Sequence, residues 1–145
     1  NLYGPGQDLG KLQGLISRLA LASVTRQPIN IFVPLDTIRD YIYVDDAAKA
    51  VLSLVRGTSF VCTDGCAIEV IASGQATTVG YLLQTMNHIT KRNVPVAFGS
   101  HASSVAQSPD LRVQPSVQLK QPMPLPAGMK VVYQDILECM QHSRV

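Results

Sequence analysis

The chain has 145 residues, 46% of them hydrophobic and 15% charged, with a formal net charge of +2 at pH 7. This length suits one domain with a core of its own, and the apolar content excludes a disordered tail. Basic residues cluster no further than Lys91-Arg92, so the stripe expected of a nucleic-acid binder is missing, and the most apolar stretches, Leu19 to Val24 and Val51 to Val55, fall far short of a membrane span.

Residue 1 is Asn, with no charged-then-apolar leader after it, so the chain reads as a piece cut from a longer protein. The cysteines Cys62, Cys66 and Cys139 show no paired metal-ligand spacing. Free thiols in a reducing, cytoplasmic setting are expected, and no metal.

Asn1-Leu2-Tyr3-Gly4-Pro5-Gly6-Gln7 opens as a turn-rich segment. Leu12, Leu15, Ile16 and Leu19 recur at helical spacing, which predicts an amphipathic helix from about Leu9 to Val24, stopped by Pro28. Ile29 to Val33 alternates as a strand, with Ile29, Ile31 and Val33 on one face and Asn30 and Phe32 on the other. A second strand is predicted at Tyr41 to Val44. Asp45 or Asp46 then caps a helix through Ala47, Ala50, Val51 and Leu54, ending near Gly57.

Thr58 to Gly65 reads as a loop and Ala67 to Ala72 as a buried strand, followed by a turn at Ser73-Gly74-Gln75. Thr77 or Thr78 is the expected cap of a helix carrying Val79, Leu82, Leu83 and Met86 inward. Val94 to Phe98 is another short strand, and Gly99 to Gln121 is irregular. Leu125-Pro126-Ala127-Gly128 turns into a last helix, Met129 to His142, with Val132, Ile136, Leu137 and Met140 inward. The pattern is an α/β chain with too few strands for its helices, which a sheet from sequence outside this chain would balance. His88, His101 and His142 are dispersed and read as surface residues.

Two segments carry a family resemblance: Asn1 to Gln7, and Arg39-Asp40-Tyr41-Ile42-Tyr43-Val44-Asp45-Asp46-Ala47-Ala48. Together with Ser73-Gly74-Gln75-Ala76-Thr77-Thr78-Val79 and Pro124-Leu125-Pro126-Ala127-Gly128, they resemble the extended short-chain dehydrogenases/reductases, the NAD-dependent epimerase/dehydratase enzymes of nucleotide-sugar metabolism. The resemblance implies the C-terminal portion of a Rossmann-type fold, with helices, a few short strands and the N-terminal parallel sheet missing. The whole of residues 1–145 is then one substrate-binding region, with elements that would pack on an absent N-terminal NAD-binding domain.

In that family NAD, or NADP, sits on a glycine-rich turn after the first strand. No G-x-G-x-x-G or G-x-x-G-x-x-G run exists in this sequence. The family's catalytic pair is Tyr-x-x-x-Lys. Here Tyr3, Tyr41, Tyr43, Tyr81 and Tyr133 are followed four places on by Gln7, Asp45, Ala47, Thr85 and Leu137. No catalytic or cofactor-binding residue is therefore expected in this chain, and no NAD binding by it alone.

The partner implied is a nucleoside diphosphate sugar. The resemblance assigns its diphosphate to Arg39, its base or ribose to Asn30 and Phe32, and a phosphate or sugar contact to Asn1; Lys11 and Leu12 approach the nucleotide. Gln107-Ser108-Pro109-Asp110 stands where relatives carry a second phosphate-binding arginine, so Arg112 is the substitute considered. The plainer alternatives are a surface ion pair of Arg39 with Asp36 or Asp40, a core role for Phe32, a turn-forming Asn1 and a solvated Lys11.

The expected role is thus the substrate-binding part of an isomerase or lyase, with a homodimer as one possible assembly. A non-catalytic binding or interaction module derived from the same family is the alternative.

Overall fold

The computed structural model describes residues 1–11, 13–57, 68–99 and 107–142. The elements run β1 (Leu2–Tyr3), α1 (Leu15–Thr25), β2 (Ile29–Ile31), β3 (Ile38–Asp40), β4 (Ile42–Tyr43), α2 (Val44–Arg56), β5 (Ala76–Thr78), α3 (Val79–Thr90), β6 (Val96–Phe98) and α4 (Leu125–His142). The strands form three two-stranded sheets among the described residues: β1 with β4 and β2 with β6, both parallel, and β3 with β5, antiparallel.

The core lies where α1, α3 and α4 meet. Ile16, Leu19, Ala20 and Ala22 of α1 face Leu82 and Met86 of α3 and Met129, Val132 and Ile136 of α4. Leu19, Leu82, Met86 and Met129 are wholly buried, and burial of each such side chain stabilises the fold by about 1.5–3 kcal/mol. Tyr3 and Tyr43, opposite each other in the β1–β4 pair, meet edge to face with ring centroids 5.5 Å apart, joining the sheet to this core.

Several predicted elements shift, each for a visible reason. The first helix starts at Leu15 rather than Leu9, because Gly14 sits at φ 85°, a left-handed conformation that a helix interior excludes. The last helix starts at Leu125, so Leu125 to Gly128 is its first turn. Gly128 fits there because a Cβ would strike the Tyr3 ring. The predicted strand at Ala67 to Ala72 is absent over the described residues 68–72. Val70 instead exchanges bonds with Ser116, as its N–H donates to Oγ at 2.7 Å and its carbonyl accepts from the Ser116 N–H at 3.0 Å. Ile68 is left 87% exposed.

Asp45 and Asp46 do not cap α2; its cap residue is Tyr43, with no side-chain cap bond, and the aspartates occupy the first turn. Asp46 turns away instead, and its carboxylate accepts from the Met123 N–H at 2.7 Å, tying α2 to the approach to α4. Thr78 caps α3 as expected, accepting from the Tyr81 N–H at 3.1 Å. The loop predicted at Thr58 to Gly65, together with Cys62, Cys66 and His101, lies outside the described residues.

Strand β3 joins the most parts. Its Asp40 carboxylate is buried and accepts from both the N–H and the hydroxyl of Ser73, at 2.9 and 2.8 Å. On the other edge Ile38 donates to Pro109 O at 2.8 Å and accepts from the Leu111 N–H at 3.1 Å. Asp40→Ala should therefore lower unfolding stability by about 2–4 kcal/mol in urea titration, since two bonds to a charged acceptor are lost from a buried site. A loss below about 0.5 kcal/mol would show that this node is dispensable.

Candidate functional site

An open cleft of about 1030 Å³ lies between the turn after β1, the start of α1 and the outer face of β2. That volume suits a ligand of nucleotide size.

The floor comes from β2. Ile29 and Ile31 point into the protein, so alternation turns Asn30 and Phe32 outward into the cleft, with Phe32 38% exposed. Beside them stand Ala97 of β6, in register with Asn30, and, just past the end of β6, Gly99 against the Phe32 ring. A Cβ on Gly99 would lie 3.5 Å from that ring. The result is an aromatic face with small neighbours, which suits a flat apolar group.

One wall is the N-terminus of α1. Gly14, Leu15, Ile16 and Arg18 line it, and no side chain caps the helix. The first amides of a helix lack acceptors within it and carry its positive end, which favours an anion. Gln7 fixes this corner. Its Oε1 accepts from the buried Ser17 hydroxyl at 2.6 Å, and its amide fills the space that a Cβ on Gly14 would need.

The opposite wall contains Asn1, Tyr41 and Gln107. Asn1 Nδ2 donates to the Asp40 carbonyl at 2.9 Å. Arg39 stands just behind this wall: Nη1 donates to its neighbour's Ile38 O at 2.8 Å and to Pro109 O at 3.5 Å, and Nη2 donates to Gln107 Oε1 at 3.3 Å. The ion pair with Asp36 or Asp40 does not form; among the described residues Arg39 meets only neutral oxygens.

Asn1, Asn30 and Phe32 thus share the cleft, with Arg39 one hydrogen bond from it. Lys11 is exposed, 3.9 Å from Asp8, and does not line the cleft. Arg112 is held outside it by Asp110, its Nε donating to both carboxylate oxygens at 3.0 and 3.1 Å. Leu12 lies outside the described residues. Sequence reasoning missed Arg18 and Tyr41, and it met Gln107 only as the first residue of the segment standing where relatives carry a second phosphate-binding arginine. Placing the helix start after Gly14 would have exposed Arg18, four residues on, as a first-turn cation. No group of three or more His, Cys, Asp or Glu able to hold a metal occurs among the described residues.

Burial pushes the Tyr41 phenol up to about 12, against an opposing pull from Arg39; burial likewise raises Tyr3 and Tyr43. A phenol whose folded value exceeds the unfolded one, about 10, contributes stability below that value and loses it as pH rises. Unfolding stability should therefore be flat with respect to these groups below about pH 9 and fall between about 10 and 12. Tyr41→Phe should make the fall shallower, as measured by denaturant titration across that range; an unchanged slope would contradict Tyr41's share.

Residues 1–60 match the model of the NAD dependent epimerase/dehydratase family. Solved structures share the fold over nearly the whole chain. The UDP-glucose 4-epimerase of Thermotoga maritima, solved with UDP-glucose, superimposes with a TM-score of 0.75 at 20% identity, covering 97% of this chain and 44% of that one. The UDP-glucuronic acid 4-epimerase of Bacillus cereus, solved with UDP-glucuronic acid and NAD, gives 0.81 at 16% identity, covering 96% and 43%. An epimerase of Methanothermobacter thermautotrophicus gives 0.81 at 20% identity, covering 99% and 43%. At these identities the likeness is one of fold, and this chain spans less than half the length of each neighbour.

No curated protein matches the chain in sequence. The fold over the described residues is one shared with Rossmann-type epimerases. The start of the chain is thus similar in sequence to the NAD dependent epimerase/dehydratase family, and the chain shares the fold of these epimerases.

Proposed function

We propose that this chain is the nucleotide-sugar-binding part of an NAD-dependent nucleotide-sugar epimerase or dehydratase. The cleft is the observation that carries the proposal, because an uncapped helix start and an outward aromatic face converge there. In this assignment the diphosphate lies between the first amides of α1, Arg18 and Arg39. The base or ribose rests on Phe32 and Asn30, and the sugar extends toward Asn1. Lys11 stands before α1, outside the cleft lining, and Arg112 joins only by exchanging Asp110 for the ligand.

The NAD of the Bacillus cereus neighbour meets no glycine cradle among the described residues. Dinucleotide glycines let backbone approach the pyrophosphate. Here the open sides of Gly4 and Gly14 are filled by Val44 and by Gln7. The parallel pair β1–β4 supports a separate cofactor-binding half. Parallel sheets are normally covered on both faces, yet Leu2 of β1 is 56% exposed, and α2 leaves Val51, Leu52 and Val55 open. An N-terminal NAD-binding half whose sheet continues from β1 is the assigned occupant of that surface.

Calorimetric titration with UDP-glucose should show saturable binding, and Arg18→Ala and Arg39→Ala should each weaken it by roughly tenfold through loss of a charge-assisted contact. NAD should give no saturable heat. Tight NAD binding, or UDP-glucose affinity indifferent to both substitutions, would overturn the assignment.

A further inference from the structure

We infer that Gln107 is a positioning residue: its neutral side-chain amide holds the Arg39 guanidinium at the cleft and releases it to an incoming phosphate. The inference rests on the nucleotide-diphosphate role of the cleft and assigns to Gln107 a part in it.

Geometry makes Gln107 the link between Arg39 and the cleft. Gln107 lines the cleft and Arg39 does not, but Arg39 Nη2 donates to Gln107 Oε1 at 3.3 Å. Gln107 is also fixed at its base. Two residues on, Pro109 accepts from the Ile38 N–H at 2.8 Å, and Leu111 donates back to Ile38 O at 3.1 Å. The segment therefore runs along the edge of β3, the strand that carries Arg39, and the two side chains are held in one frame. Nη1 is tied to that frame by Ile38 O and Pro109 O, which leaves Nη2 as the part of the guanidinium that reaches the ligand side.

Charge explains why the partner is an amide. The two carboxylates in the same frame are occupied elsewhere: Asp40 holds Ser73 by two bonds, and Asp110 holds Arg112 through both oxygens. Among the described residues, Arg39 is thus oriented by neutral oxygens, and no carboxylate pairs with it. A phosphate oxygen forms a stronger, charge-assisted bond than an amide oxygen and displaces it. The displaced amide still has two N–H donors, which can turn to the same anion. A carboxylate at this position would neutralise Arg39 and compete with the phosphate.

The test is a double-mutant cycle in the 145-residue chain, with UDP as the probe and binding read by calorimetry at low and high salt. Q107A should weaken UDP roughly three- to tenfold by loosening Arg39, and Q107E should weaken it more than Q107A, with the excess shrinking at high salt. In an R39A background, Q107A should cost nothing further, because Gln107 acts through Arg39. Wild-type binding that Q107A and Q107E leave unchanged, or losses from Q107A and R39A that multiply, would overturn the role of Gln107 alone. A wild-type chain that does not bind UDP would overturn the functional reading together with it.

Discussion

Strand β3 is three residues long, yet the parts around the cleft are fixed to one another through it. Its Asp40 accepts from Asn1 with the backbone carbonyl and from Ser73 with the carboxylate, while Ile38 bonds the 109–111 segment. The ladder to β5 runs along its length, pairing Arg39 with Thr77. Segments far apart in sequence, at residues 1, 73, 77 and 109, therefore share one short frame. Such a frame is costly in chain entropy, which these hydrogen bonds help to offset. It is also what puts a guanidinium behind the cleft wall, where its partners among the described residues are neutral oxygens.

The cleft depends on a second constraint, the left-handed Gly14. Because the chain turns there, α1 begins at Leu15 and its free amides open on the cleft. Gln7 then occupies the space beside Gly14 and receives the Ser17 hydroxyl, so the corner is closed by the protein itself. A preformed positive corner facing an aromatic strand face suits a ligand with an anionic middle and a flat end. A nucleoside diphosphate has that shape, which accords with the proposal made for the family's sugar nucleotides.

The amphipathic parts of the fold were legible in the sequence. The alternation of Ile29 to Val33 told which side chains enter the core and which, Asn30 and Phe32, face out. The stripe Val79, Leu82 and Met86 and its Thr78 cap were readable for the same reason, since burial and capping leave periodic marks. What was not legible is what has no period. Strand β3 is Ile-Arg-Asp, with no alternating apolar pattern, and its pairing is decided by partners 36 and more residues away. Helical spacing ran on through Leu12 because a pattern of leucines does not report that Gly14 is left-handed. Val70 lies in an apolar run, but a serine from elsewhere in the chain takes its backbone bonds. Asp46 looked like a cap by position and serves a distant amide instead. Of the site, Arg39 and the place of the Gln107 segment were visible through the family resemblance, and the bond between Gln107 and Arg39 only through the fold.

The central claim is that a nucleoside diphosphate occupies the cleft between the start of α1 and the face of β2. Backbone amide mapping by nuclear magnetic resonance during a UDP titration tests it most directly. The account predicts shifts concentrated at Leu15 to Arg18, Asn30 to Phe32 and Arg39, with α3 and the later turns of α4 unmoved. Shifts confined to α3 or α4, or none at saturating UDP, would contradict it.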